Sequence, residues 1–307
     1  MLKLRRILFP TDFTRRSERS LDMALEFADR FGAELHMLHA IVLHAEDPSD
    51  PAHLFPDPEE IRQRLEEIAD GRMASSIESR GEQGVRVVRS RRRGISAAPV
   101  ILEHAEEIEA DLIVMSTHGR RGIEHVLLGS VTEEVVRLAP CPVLTVRADA
   151  EAEELPTVRS VLVPVDFSEH ARGAVAHARE LAASFGAGLH VLHVFEQPIH
   201  PEIYIGGMPL AGPEFPAVEG SLGEALETFV REASGPAVET SVHVVEGRAV
   251  TGILDFAREA DADLIVIATH GLTGLAHVML GSVTEKVVRR APCPVLTVKS
   301  FGRSLVG

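Results

Sequence analysis

A chain of 307 residues, 45% hydrophobic and 25% charged with no tryptophan, carries enough apolar side chains for two ordinary cores and needs no disulfide staple. Its formal charge of −15 argues against a surface built to neutralise nucleic-acid phosphates. The opening residues hold basic side chains but no apolar stretch of signal-peptide length, and no segment approaches a membrane span, so the expected setting is cytoplasmic, without membrane or nucleic acid as partner.

Taken in chain order, Arg6-Ile7-Leu8-Phe9 reads as a strand. Leu21, Ala24, Leu25, Ala28 and Phe31 then recur at helical spacing until Gly32 stops them. Leu35 to Val42 is a second strand, and Ile61, Leu65, Ile68 and Ala69 mark a second helix. Val85 to Val88 reads as the third strand, and Val100, Ile101, His104, Ala105 and Ile108 as the third helix. Leu112 to Met115, Ser130 to Leu138 and Val143 to Val146 complete the series as strand, helix and strand. Continuous apolar strands separated by helices imply a parallel sheet covered on both faces, hence a doubly wound α/β domain. Ligands of such sheets sit beyond the carboxyl ends of the strands, where strand order reverses. Asp12, after the first strand, and the glycines after the fourth strand fall at those ends.

The chain repeats itself. Asp12 and His39 return as Asp166 and His193, each 154 positions on, with Phe13 and Phe167 following the two aspartates. The block from Thr117-His118-Gly119 to Leu128-Gly129-Ser130-Val131-Thr132-Glu133 returns 152 positions on, from Thr269-His270-Gly271 to Leu280-Gly281-Ser282-Val283-Thr284-Glu285. Two tandem domains follow, 1–147 and 158–300, joined by a short acidic segment that reads as a solvated linker. Cys141 and Cys293 occupy equivalent positions between prolines and read as small buried hydrophobes. A basic run, Arg86, Arg89, Arg91, Arg92 and Arg93, lacks interleaved aromatics and reads as a solvated edge or an anion-facing loop.

The glycine block has its own chemistry. Gly119, Gly122 and Gly129, with Gly271, Gly274 and Gly281 in the second copy, admit positive φ and close backbone approach. Gly129 stands before a helix whose first amides lack partners, and such a terminus binds anions. A structural alternative exists, because Ser130-x-x-Glu133 and Ser282-x-x-Glu285 also fit a capping box. The recurrence of the same nine-residue interval between glycines, each time after a strand, favours phosphate. No G-x-x-x-x-G-K-[ST] loop occurs, which excludes a Walker-type site.

On these residues the chain resembles a tandem member of the universal stress protein (UspA) family over nearly all of both halves. It is similar to that family's nucleotide-binding branch, which carries G-x-x-G-x9-G-[ST]. The resemblance implies two Rossmann-like, adenine nucleotide alpha hydrolase-like sheets of five parallel strands in the order 3-2-1-4-5, packed as an intramolecular pseudo-dimer, and is compatible with a homodimer. It implies ATP as ligand, with room for Mg²⁺ beside it. Asp12 and Asp166, with Ala40 and Val194 on the second strand of each copy, match the adenosine contacts. Gly119, Gly129 and Ser130, with Gly271, Gly281 and Ser282, match the phosphate frame. The first motif glycine is replaced by Ser116 and Ala268. The implied site extends to Met115, His118, Gly122, Val131 and Thr132, and to Ile267, His270, Gly274, Val283 and Thr284.

His36 and His39, like His190 and His193, stand three apart on a strand and so face opposite ways, which rules out a shared metal. Gly94 and Gly247, between third strand and third helix, are explained by close packing. No metal ligand and no catalytic residue is assigned. The resemblance implies a regulatory ATP-binding protein of the stress response; the alternative is an enzyme using the same site for slow ATP hydrolysis or nucleotidyl transfer. The block offers no lysine, activated nucleophile or paired carboxylates, so stabilisation of a leaving phosphate is thin and the regulatory reading is preferred.

Overall fold

Ile7, Leu8 and Phe9 are all fully buried, as a strand covered on both faces requires. They form β1 (Arg6–Pro10), followed by α1 (Arg15–Phe31), β2 (Glu34–Val42), α2 (Pro58–Glu78), β3 (Val87–Gly94), α3 (Ala97–Glu107), β4 (Leu112–Ser116), α4 (Ser130–Leu138) and β5 (Val143–Val146). The second copy contributes β6 (Ser160–Pro164), α5 (Glu169–Phe185) and β7 (Gly188–Phe195), a short antiparallel pair β8 (Tyr204–Ile205) and β9 (Met208–Pro209), then α6 (Phe215–Glu232), β10 (Thr240–Glu246), α7 (Ala249–Glu259), β11 (Leu264–Ala268), α8 (Ser282–Arg290) and β12 (Val295–Val298). This computed structural model describes residues 2–42, 58–80, 84–117, 128–147, 157–196, 204–205, 208–209, 215–269, 280–299 and 301–306. Among them no helix is long and apolar enough to cross a membrane.

The residues fall into two compact units, one of Lys3–Leu155 with Phe301–Leu305, the other of Pro156–Ser300 with the two extreme ends of the chain. In the first unit the strands run β3-β2-β1-β4-β5, all parallel. In the second they run β10-β7-β6-β11-β12, again all parallel. Both have the expected order 3-2-1-4-5, which puts the reversal between β1 and β4, and between β6 and β11. An aspartate in each unit fixes the opposite end of that junction. Asp111 Oδ2 accepts the amides of Arg5 and Arg6 at 2.8 and 3.0 Å, and Asp263 Oδ2 accepts those of Arg159 and Ser160 at the same two distances.

The structure sharpens three readings. The third strand begins at Val87 instead of Val85 and runs through the arginines to Gly94, so of the two readings of the basic run, edge or loop, the edge holds. Arg91 pairs with Glu66 and Asp70, Arg93 with Glu66, and Arg92 with Glu107, and a charged edge of this kind discourages a further strand from adding. Helix α1 starts well before its first apolar residue, because the Thr14 side chain accepts the Ser17 amide and caps it. Gly94 is a packing glycine, where a Cβ would run into the Val100 side chain, whereas Gly247 is conformational, with φ +146 and open space around it. Cys141 and Cys293 are buried thiols outside any disulfide, and burial pushes the Cys293 thiol up to about 12.

Histidines are buried in both units. His104 is 4% exposed with Nδ1 3.5 Å from the Glu107 carboxylate, and His177 is 3% exposed with Nδ1 on the Gly173 carbonyl. Burial lowers the pKa of both, and of His36 and His243, below the usual 6.5. The folded chain therefore binds fewer protons than the unfolded one in this range, so their contribution is complete above 6.5 and is lost as the pH falls from there through the folded pKa values. Urea unfolding should give a lower midpoint at pH 5.5 than at 7.5, and His177→Leu should flatten that dependence. An unchanged slope in the variant would remove His177 from the account.

Candidate functional site

At the carboxyl end of β4 the chain leaves the sheet through Thr117, which is 2% exposed and whose amide donates to the Val146 carbonyl. When the chain returns, the Gly129 amide donates to the Thr117 carbonyl at 3.0 Å; in the second unit Gly281 donates to Thr269 at 2.9 Å. The Thr132 hydroxyl donates to the Ser116 carbonyl at 2.9 Å, and that of Thr284 to Ala268 at 2.8 Å. Two bonds thus tie the start of α4 or α8 to the end of its strand.

The tether sets what each helix presents. Gly129 and Gly281 are themselves the N-caps and make no side-chain capping bond; Ser130 and Ser282 are the first helical residues, so the capping box read from the sequence is not formed. The helical ladder begins with Glu133 donating to Gly129 and Glu285 to Gly281, which places the amides of Ser130, Val131 and Thr132, and of Ser282, Val283 and Thr284, at a positive end that the cap residue itself does not satisfy with a side chain. Ser130 and Ser282 are exposed there. Positive φ is not what these glycines supply, since φ is −60 at Gly129 and −58 at Gly281. Gly281 supplies room: a Cβ there would lie 3.1 Å from the Thr269 carbonyl oxygen, closer than side chains ordinarily come.

Across the reversal point, Asp12 and Asp166 follow β1 and β6 and are half-buried. Asp12 Oδ1 accepts the Thr14 amide at 3.0 Å and the Thr14 hydroxyl at 2.7 Å; Asp166 Oδ1 accepts the Ser168 amide at 3.1 Å. Neither aspartate is the helix cap: each steadies the residue that is, Thr14 or Ser168. The residue between them is left-handed in both copies, φ +60 at Phe13 and +63 at Phe167. Their rings pack on His39 and His193, whose Nδ1 atoms bond the carbonyls of Thr11 and Val165. Beside Phe13 and His39 a recess of about 230 Å³ opens toward α2, with Arg72 on its wall.

Of the other residues read from the sequence, Met115, Ile267 and Ala268 are buried strand-end residues, and Ser116 is half-buried at the end of β4. Ala40 lies on β2 opposite Arg92 and Val194 on β7 opposite Val245. The Val194 side chain is packed under α7, where a Cβ at Gly252 would come within 2.9 Å of it. Thr132 and Thr284 have buried hydroxyls already committed to strand carbonyls, so only their amides face the site. His118, Gly119 and Gly122, with His270, Gly271 and Gly274, lie outside the described residues. Sequence reasoning noted the repeated phenylalanines and histidines but gave them no role; their recurrence at one offset beside the aspartates was the available signal.

Two doubly wound domains, each with an uncapped helix start and an aspartate flanking its reversal point, define a tandem α/β protein of the class that takes ligands at such crevices. Residues 3–147 and 157–299 match the model of the Universal stress protein family, and the chain belongs to that family. It is 34% identical over 146 residues to a universal stress protein of Methanocaldococcus jannaschii, covering 46% of this chain and 82% of the relative. A universal stress protein from Mycolicibacterium smegmatis is 27% identical over 304 residues, 95% of this chain and 96% of its own length. The crystal structure of a universal stress protein from Archaeoglobus fulgidus superposes with a TM-score of 0.65 at 25% identity, covering 97% of this chain and 96% of that one.

The hydroxyl anchor is testable by itself. Thr284→Val keeps the shape but leaves the buried Ala268 carbonyl without its donor, and should cost about 1–3 kcal/mol in urea unfolding. A loss indistinguishable from zero would show that the anchor does not hold α8.

Proposed function

We propose that each half of this protein binds an adenine nucleotide, ATP by preference, and that the bound nucleotide regulates the protein in a stress response rather than being turned over as a metabolic substrate. The observation that carries this reading is the pair of glycine-capped, side-chain-free helix starts tethered to the ends of β4 and β11, each across the reversal point from an aspartate. The residues fit such a ligand. The close space at Gly281 would be filled by any Cβ, and the first-turn amides have no capping side chain of their own.

In this reading the amides of Ser130, Val131 and Thr132, and of Ser282, Val283 and Thr284, hold phosphate oxygens. Asp12 and Asp166, with the strand-two residues Ala40 and Val194, hold the nucleoside. Bound nucleotide supplies negative charge that the helix ends balance, with Mg²⁺ accommodated beside the phosphates. A binding role is favoured over turnover because three polar groups of the site are committed to its architecture: the Thr132 and Thr284 hydroxyls to strand carbonyls, and Asp12 Oδ1 to Thr14.

Isothermal titration with ATP should give two sites per chain. Gly281→Val fits the backbone φ, so its effect is steric: it should remove one site, Gly129→Val the other, and the double variant both. Phosphate release with Mg²⁺ should stay far below about 10 per second, the median of metabolic enzymes. A wild-type chain that takes up no ATP, or a Gly281→Val protein that still binds two, would overturn the reading.

A further inference from the structure

We infer that His39 and His193 are positioning residues that hold the strand-end aspartates, Asp12 and Asp166, in the geometry the ligand meets. The inference rests on the nucleotide reading for what those aspartates serve. Its structural content stands on the turn itself.

Phe13 and Phe167 adopt a left-handed backbone conformation that a bulky aromatic side chain rarely takes, and that persists only when its surroundings enforce it. In the first unit several bonds do so. Asp12 accepts from Thr14 twice, the Thr11 hydroxyl accepts the Phe13 amide at 3.1 Å, and the His39 ring lies 4.4 Å from the Phe13 ring. The second unit has lost some of these and kept others. Val165 replaces Thr11 and has no hydroxyl to offer, yet φ at Phe167 is unchanged. The two turns share the aspartate accepting the amide two residues on, the histidine, the amide of Thr11 or Val165 on a strand carbonyl, and the Thr14 or Ser168 helix cap.

The histidine grips both neighbours of the aspartate. A carbonyl can only accept, so Nδ1 carries the proton, which it donates to Thr11 at 2.8 Å and to Val165 at 2.9 Å, the residues just before Asp12 and Asp166. The same imidazole packs against the phenylalanine just after, at 4.4 and 4.6 Å between ring centroids. With one neighbour pinned by a hydrogen bond and the other by ring contact, the carboxylate between them has little freedom left. Truncating the histidine removes one hold from each, leaving the Thr11 and Val165 amides on the Leu38 and Leu192 carbonyls, and the left-handed residue can then relax and shift the aspartate.

The test uses His39→Ala in the full chain, with the second unit as internal reference. Hydrogen exchange at the Thr14 amide, which bonds Asp12, should speed up by about tenfold or more, while the Ser168 amide and the Leu25 amide in the middle of α1 exchange as in the wild type. His39→Asn keeps a donor close to the position of Nδ1 and should recover much of the protection. In titrations with ATP, His39→Ala should weaken one site by about tenfold and leave the other unchanged. Unchanged Thr14 exchange, or equal loosening of Thr14 and Leu25, would overturn the inference by showing no hold on the turn or only general support of the helix. If the wild-type chain takes up no ATP, the nucleotide reading falls, and the exchange measurement still decides whether His39 holds Asp12.

Discussion

The bond from the Gly129 amide to the Thr117 carbonyl, and its equal from Gly281 to Thr269, is the constraint on which the candidate site depends. A parallel sheet points every strand's carboxyl end the same way, so the chain leaving β4 must come back to start α4 close to where it left. The tether, with the Thr132 or Thr284 hydroxyl on the preceding carbonyl, fixes where that helix begins. A residue with a side chain at the cap would crowd the very carbonyl that the amide seeks. Glycine is kept for proximity, and the exposed amides of the first turn follow from having a cap with nothing to offer them.

The two units show which features the tether needs and which are free to vary. Ser116 becomes Ala268, but both are used through their carbonyls, so the change leaves the hydroxyl anchor intact. Thr11 becomes Val165 and Thr14 becomes Ser168; the second change keeps the helix cap, since each side-chain oxygen accepts the amide three residues on. Divergence is larger at the outer edge strands, as between the arginine-rich β3 and the valine-rich β10. One unit discourages strand addition with charge, and the other carries no such run.

Much of this was legible in the sequence because it rests on patterns of hydrophobicity and on residues with few substitutes. Buried strands such as Ile7-Leu8-Phe9 and Leu112 to Met115 are apolar on both faces, and the order 3-2-1-4-5 follows once their family is recognised. Asp12, Gly129 and their copies stood out by recurring at fixed offsets. Other features were hidden for physical reasons. An edge strand needs no apolar alternation, so β3 was cut short at its arginines. Whether Ser130 caps its helix or begins it depends on one backbone angle. The left-handed turns at Phe13 and Phe167 could not be foreseen, because aromatic residues reach that conformation only under tertiary contacts, here those with His39 and His193. Of the two properties read for Gly129 and Gly281, positive φ is not used, since φ is −60 and −58, whereas close backbone approach is seen at Gly281.

The central claim is that the first-turn amides of α4 and α8 receive phosphate. Amide resonances of Ser130, Val131, Thr132, Ser282, Val283 and Thr284, followed in a titration with ATP and separately with adenosine, test it at the atoms concerned. The account predicts large shifts at both helix starts with ATP and much smaller ones there with adenosine, which lacks phosphate. Equal shifts with the two compounds, or ATP-induced shifts confined to residues away from these amides, would contradict it.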